Sequence, residues 1–233
     1  PGSSGFDKRR GLKMKPFFIS RQIPWDQPLC GRSVELMRLF GLDRNDLQQR
    51  VLHYDCRLSI GPGQIALIAG PSGSGKTLLL KEFYNCVHKS QRIWINRIPL
   101  KTSKSVIDCM QGPFDQTLRC LCRMGLAEVF TLLSSPARLS EGQRYRYRLA
   151  RAWLSGKQYL FADEFGSALD EPGAAVFAAQ IRRLISQSRL IFIAASCREE
   201  LAEPLRPDVI IRADRAVSCI NKTILPTRKK KTG

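Results

Sequence analysis

The residues best suited to chemistry form one short run: Gly70, Pro71, Ser72, Gly73, Ser74, Gly75, Lys76 and Thr77. Glycines at 70, 73 and 75 let the backbone curl until successive N–H groups point inward, the arrangement that holds a phosphate. Lys76 would put a point charge on the terminal phosphates of a nucleotide and assist their transfer, and the Thr77 hydroxyl is a ligand type for Mg2+. Leu78 completes the set as the apolar residue that starts the following helix. Such a site needs a carboxylate from elsewhere in the chain, and Asp163-Glu164 supplies two. Asp163 suits the metal shell, and Glu164 suits polarising an attacking water. Taken singly, the two segments have plainer readings: a Gly-rich turn, and acids that cap a helix or sit in solvent.

The elements around these residues give the chemistry its context. Gln64–Ala69 is a continuous apolar run that enters the glycine loop directly, as a strand buried on both faces would. Tyr159–Ala162 and Leu190–Ala195 are runs of the same type, separated by a strongly helical stretch over 173–186. Strand, helix, strand predicts a parallel α/β core. Upstream, 51–60 alternates in part and leads into the turn Gly61-Pro62-Gly63, a strand running to a hairpin-like corner. Residues 33–41 read as a short amphipathic helix capped at both ends, with apolar residues at 34, 36, 37, 39 and 40 and Gly41 as the stop. Basic, turn-rich segments at 1–15 and 227–233 are expected to be mobile arms around one domain at 16–226.

Length and charge narrow the classes. A chain of 233 residues that is 43% hydrophobic can build a real core, which excludes wholesale disorder. The net charge of +18 attracts polyanions, so nucleic acid is a possible partner, contacted through the termini and through Arg144, Arg146, Arg148 and Arg151. No apolar run approaches the ~20 residues that cross a bilayer, and PGSSGFDKRR lacks a hydrophobic signal core, so the expectation is a cytoplasmic protein without direct membrane insertion. The cysteines are scattered singly, as in a reducing compartment; Cys120 and Cys122 lack the second pair that a structural zinc site wants.

Between the two chemical segments lies Leu139-Ser140-Glu141-Gly142-Gln143, followed by the Arg-rich stretch 144–151. This run resembles the signature of ABC-type ATPases, whose usual form is LSGGQ. The glycine loop, the signature, Asp163-Glu164 and Ser167-Ala168-Leu169-Asp170, similar to the family's D-loop, follow in the family's order, and the resemblance spans roughly 50–212. It implies a P-loop NTPase core with a mainly parallel sheet, an antiparallel β portion and a compact helical lid over roughly 100–155. It also implies ATP and Mg2+ as cofactors, and a homodimer in which the signature of one chain closes over the ATP of the other. Ser140, Gly142 and Gln143 then join the nucleotide-binding set, although Ser140 also reads as an ordinary N-cap with Gln143 completing a capping box.

The departures shape the functional expectation. Family transporters place a His after the last core strand; here Ser196-Cys197 stands there, so Cys197 is the candidate switch residue and turnover is expected to be slow. Gln111 and Asp108 both remain candidates for the Q-loop residue, and Phe165-Gly166 replaces the usual Pro-Thr. Phe40-Gly41-Leu42, Arg144-Tyr145-Arg146, Asp163-Glu164-Phe165 and Leu205–Val209 are similar to a branch of soluble ABC-type ATPases sometimes fused to an acetyltransferase domain, of which these residues show no trace. The expectation is an ATPase working in solution; the alternatives are a transporter's ATP-binding subunit and a nucleotide switch with little hydrolysis.

Overall fold

The three buried runs lie side by side in one parallel sheet. The structure is a computed structural model and describes residues 6–7, 12–23, 28–49, 52–213 and 217–218. In chain order its strands are β1 (Phe6–Asp7), β2 (Leu12–Lys13), β3 (Lys15–Ile23), β4 (Leu52–Ile60), β5 (Ile65–Ala69), β6 (Arg92–Trp94), β7 (Tyr159–Ala162), β8 (Ile191–Ser196), β9 (Val209–Arg212) and β10 (Val217–Ser218). The helices are α1 (Arg32–Leu39), α2 (Arg44–Gln49), α3 (Lys76–Asn85), α4 (Phe114–Arg123), α5 (Val129–Leu133), α6 (Glu141–Trp153), α7 (Glu171–Ser186) and α8 (Ala202–Leu205).

The main sheet runs β6-β7-β8-β5-β9, every neighbour parallel. Its strands are apolar throughout because alternate side chains enter two different cores. Ile65, Leu67, Leu160, Ala162, Phe192 and Ala194 face a core built with α4, α6 and α7. Ala66, Ile68, Tyr159, Phe161, Ile191 and Ile193 face another, built with α3 and the β3–β4 layer.

That second layer has the order β10-β4-β3, with β3 and β4 antiparallel from Lys15↔Ile60 to Ile23↔Leu52. The Gly61–Gly63 turn therefore carries the chain from one sheet to the next; β4 and β5 are not a hairpin. Within the arm expected at 1–15, β1 pairs with β2 and β3 begins at Lys15; the rest of that arm and the tail at 227–233 fall outside the described residues.

The helix expected at 33–41 forms as α1, without a side-chain cap at its start. Its N-cap position is Gly31, with Ser33 Oγ donating to the Cys30 carbonyl, and none of its residues is buried. Leu39 is 79% exposed and Phe40 69%. Periodicity supplies an apolar stripe, but among the described residues no element covers it. In α4, Cys120 is buried and pushed up to about 11 by that burial, whereas Cys122 is exposed, so the two thiols do not face one site. Cys30, Cys86, Cys109, Cys120, Cys122 and Cys197 are free thiols, while Cys56, wholly buried in β4, is disulfide-bonded, against the reducing-compartment expectation.

Candidate functional site

Three neighbouring strands deliver the chemistry at their carboxyl ends: β5 runs into Gly70, β7 into Asp163, and β8, between them, into Cys197. At Gly70 the backbone passes so close to the strand beside it that an added Cβ would stand 2.2 Å from the Ala213 carbonyl oxygen. Gly73 and Gly75 have φ of 78° and 85°, the left-handed region where a side chain costs energy. Space beside Gly73 is open and the residue is exposed, so its backbone can take an incoming phosphate. Lys76 and Thr77 open α3 directly after the Gly75 N-cap, with the helix N-terminus facing the loop. Lys76 Nζ donates to the Pro71 carbonyl at 2.6 Å, which parks the ammonium over the loop.

Thr77 and Asp163 meet as the motif spacing requires. Thr77 Oγ1 donates to Asp163 Oδ1 at 3.0 Å, and the Glu164 N–H donates to the same oxygen at 3.1 Å. Two ligands of one octahedral Mg2+ at ~2.0–2.1 Å stand roughly 2.9 Å apart, so this hydroxyl–carboxylate pair fits a shared Mg2+. Glu164 itself has φ of 50°, a costly conformation for a non-glycine residue. Its carbonyl accepts both the Ser167 N–H at 3.1 Å and Ser167 Oγ at 2.8 Å, which hold the turn and leave the carboxylate exposed at the sheet edge.

Sequence reasoning missed Asn96. It lies in the one-turn 3-10 segment after β6, the strand paired with β7. Its Oδ1 accepts the Asp163 N–H and its Nδ2 donates to the Asp163 carbonyl, both at 2.9 Å. One amide thus clamps both backbone groups of Asp163. Of the Q-loop candidates, Gln111 lines a cleft beside β6 and Asp108 accepts from Ser105 Oγ at 2.5 Å.

The signature opens α6 with a complete capping box: Gln143 N–H donates to Ser140 Oγ at 3.3 Å, and Ser140 N–H to Gln143 Oε1 at 3.0 Å. Ser140 stays exposed, so the capped end is also open to an anion. A Cβ on Gly142 would sit 3.0 Å from Leu169 and 3.4 Å from the Ala168 carbonyl, so this glycine seats α6 on the loop after Glu164. The Phe165-Gly166 substitution has a structural reason. Phe165 is 1% exposed and packs with Tyr145 of α6, Phe177 and Phe192, at centroid distances of 6.3, 6.4 and 5.5 Å. Burial, with the Asp163 carboxylate adding to it, pushes the Tyr145 phenol far above its usual range. Gly166 adopts φ of 82° where a Cβ would strike Leu201.

After β8, Ser196 is buried and its hydroxyl donates to the Phe165 carbonyl at 2.9 Å, whereas Cys197 is exposed. Packing therefore occupies Ser196 and leaves Cys197 at the open end. The arginines of α6 are tied down: Arg144, Arg146 and Arg148 donate to the Ala137, Gly125 and Ile98 carbonyls at 2.8, 3.2 and 3.0 Å. These bonds tie α6 to neighbouring segments and leave the three guanidinium groups less free to face a nucleic acid.

A family description for the ABC transporter matches residues 54–117. A zinc import ATP-binding protein of Chromohalobacter salexigens is 32% identical over 184 residues, covering 72% of this chain and 72% of its own length. A zinc import ATP-binding protein of Jannaschia sp. is 30% identical over 179 residues, 70% of each chain. Among solved structures, cbiO1 from Clostridium perfringens, part of the ABC transporter complex cbiONQ, aligns with a TM-score of 0.58 at 18% identity, covering 76% of this chain and 83% of that one. A dimeric bacterial ABC transporter cassette aligns with a TM-score of 0.56 at 19% identity, covering 71% and 88%. The nucleic-acid reading of the charge gains no support from these relatives. The structural likeness fixes the fold, and the sequence likeness, sustained across most of both chains, extends it to descent: the chain belongs to the ABC-type ATPases, which hydrolyse ATP with Mg2+.

Proposed function

We propose that this chain is the ATP-binding and hydrolysing subunit of a transport complex, working as a head-to-tail pair of copies. The carrying observation is the junction of Thr77, Asp163 and Glu164 at adjacent strand ends beside the glycine loop. Gly70–Thr77 and Leu78 wrap the phosphates at the start of α3, and Lys76 moves from the Pro71 carbonyl to their charge. Thr77 and Asp163 would hold Mg2+, which when bound would neutralise charge on the transferring phosphoryl group. Glu164, fixed by its left-handed turn, orients the attacking water and takes up its proton.

On a single copy Gly73, Glu164 and Ser140 are all exposed. Phosphoryl transfer wants such groups covered and water excluded, and the exposed signature of a second copy, with Ser140, Gly142 and Gln143 at a helix N-terminus, supplies the cover. Hydrolysis should therefore rise more steeply than linearly with protein concentration, and a strictly linear rate would count against the pair.

Transport coupling is favoured over work in solution by the relatives, which are named for zinc import, and by α5. This helix lies just before the signature and exposes Val129 at 62%, Phe130 at 79% and Leu133 at 62%, an apolar face with room for a partner. Among the described residues no helix is long and apolar enough to cross a membrane, so the partner supplies the membrane-spanning part. In host cells the protein should sediment with membranes, and Phe130→Ser with Leu133→Ser should release it while basal ATP hydrolysis persists. A wild-type protein that stays in the supernatant would overturn transport coupling.

A further inference from the structure

A second charged concavity lies beside the edge strand β6. It is a cleft of about 420 Å3, lined by Arg92, Arg97, Arg151 and Lys157 together with Tyr84 and Trp94, and no carboxylate lines it. The cations are held by rings and neutral groups. The Arg92 guanidinium lies over the Tyr84 ring at 3.9 Å, Tyr84 meets Trp94 edge to face at 5.3 Å, and Arg97 lies over Trp94 at 4.8 Å. Arg92 Nη1 donates to the Tyr84 carbonyl, and Lys157 Nζ to the Ser90 carbonyl at 2.9 Å. Among the described residues the ion pairs are Arg21–Glu82 and Arg182–Asp208, and neither involves this cleft.

Ring packing makes the arrangement more than a basic surface. Arg151 in turn lies over the Tyr147 ring at 5.9 Å. Stacking on Tyr84 and Trp94 fixes the orientation of two guanidinium planes, whose forked donors match the spacing of phosphate oxygens.

We infer that this cleft binds a small soluble anion carrying at least two phosphate groups, separately from the nucleotide at Gly70–Thr77. The volume fits a small molecule, within the ~300–1,000 Å3 typical of ligand sites, better than a protein segment. The site lies on the far side of β6 from the β7 strand that carries Asp163, and Asn96, which clamps Asp163, is the neighbour of Arg97. Occupancy at Arg97 therefore acts beside the residue that clamps the Asp163 backbone.

The test is calorimetry with pyrophosphate on the full chain saturated with Mg2+ and a non-hydrolysable ATP analogue, so that the glycine loop is filled. Arg97 is exposed and stacks only on Trp94 among the described contacts, so Arg97→Glu leaves the fold intact, as an unchanged melting midpoint will show. The wild type should bind pyrophosphate and Arg97→Glu should weaken it by about tenfold or more, the scale of one charge-assisted hydrogen bond. A parallel arm uses phosphatidylcholine vesicles containing phosphatidic acid: sedimentation lost in Arg97→Glu assigns the phosphate to a lipid headgroup in place of a soluble ligand. Equal behaviour of wild type and variant with both probes overturns the site. So does binding of a poly-glutamate peptide, but not pyrophosphate, in an Arg97-dependent manner, which would make the cleft a protein-docking groove.

Discussion

Replacing Asn96 by alanine removes the side chain that satisfies both backbone groups of Asp163, at 2.9 Å each. At ~0.5–1.5 kcal/mol net per hydrogen bond the loss is about 1–3 kcal/mol, which for a domain of this size lowers the melting midpoint by roughly 2–10 °C. The larger effect falls on chemistry. Asp163 Oδ1 is shared by the Thr77 hydroxyl and the Glu164 N–H, so freedom gained at the Asp163 backbone displaces the proposed Mg2+ ligand and the Glu164 turn together. Misplacement on the 1 Å scale costs about 10²-fold in rate. Asn96→Ala should therefore hydrolyse ATP ~10–100-fold more slowly, with a raised Mg2+ requirement, while binding of nucleotide without metal is little changed. Asn96→Asp separates packing from clamping: it keeps an acceptor for the Asp163 N–H but sets a carboxylate against the Asp163 carbonyl, and should be at least as slow. Steady-state hydrolysis titrated with Mg2+ decides the matter. If Asn96→Ala lowers the midpoint yet leaves the Mg2+ dependence and rate untouched, the clamp is scaffolding and the reasoning fails.

Other outcomes follow from the same geometry. Lys76→Ala should weaken MgATP binding by about tenfold or more by calorimetry, from loss of a charged hydrogen bond of ~1.5–3 kcal/mol; its ammonium is held only by the Pro71 carbonyl among the described contacts, so thermal stability should hardly move. Cys197→His should keep the melting midpoint, because the residue is exposed, and should speed ATP turnover; slower turnover at constant stability would remove Cys197 from the switch position. Phe165→Ala should cost about 3–5 kcal/mol in chemical denaturation, the range for a buried aromatic, and an effect below ~1 kcal/mol would mean that the Tyr145–Phe165–Phe192 cluster does not join α6 to the catalytic turn.

What the sequence showed, and what it hid, divides along local and non-local lines. The runs at β5, β7 and β8 were legible because burial on both faces leaves no polar residue to interrupt them, and the glycine loop because its function dictates residue type position by position. The Ser140–Gln143 capping box was legible for the same reason: its partners are three residues apart. β3 was missed although Phe17 and Ile19 are buried and Phe18 is 65% exposed, an alternation that means a strand only once β4 lies beside it. α1 was legible as an amphipathic helix, but periodicity does not say what covers its stripe, and none of its residues is buried. Asn96 gave no signal, because its role depends on β6 pairing with β7 across 67 positions of chain. The reason for Phe165 was likewise invisible, resting on Tyr145 and Phe192 arriving from other elements.

The central claim is that Glu164 drives hydrolysis at a site completed by a second copy. Glu164→Gln keeps the size and turn of the side chain but cannot accept the proton of water, so MgATP should bind undiminished while turnover falls ~10²–10⁴-fold. Trapped ATP should then hold two copies together, and light scattering with and without MgATP reads this directly. The Glu164→Gln protein should be a monomer without nucleotide and a dimer with it, undone by Lys76→Ala in the same chain. A Glu164→Gln protein that stays monomeric at saturating MgATP, or that hydrolyses at the wild-type rate, would contradict the claim.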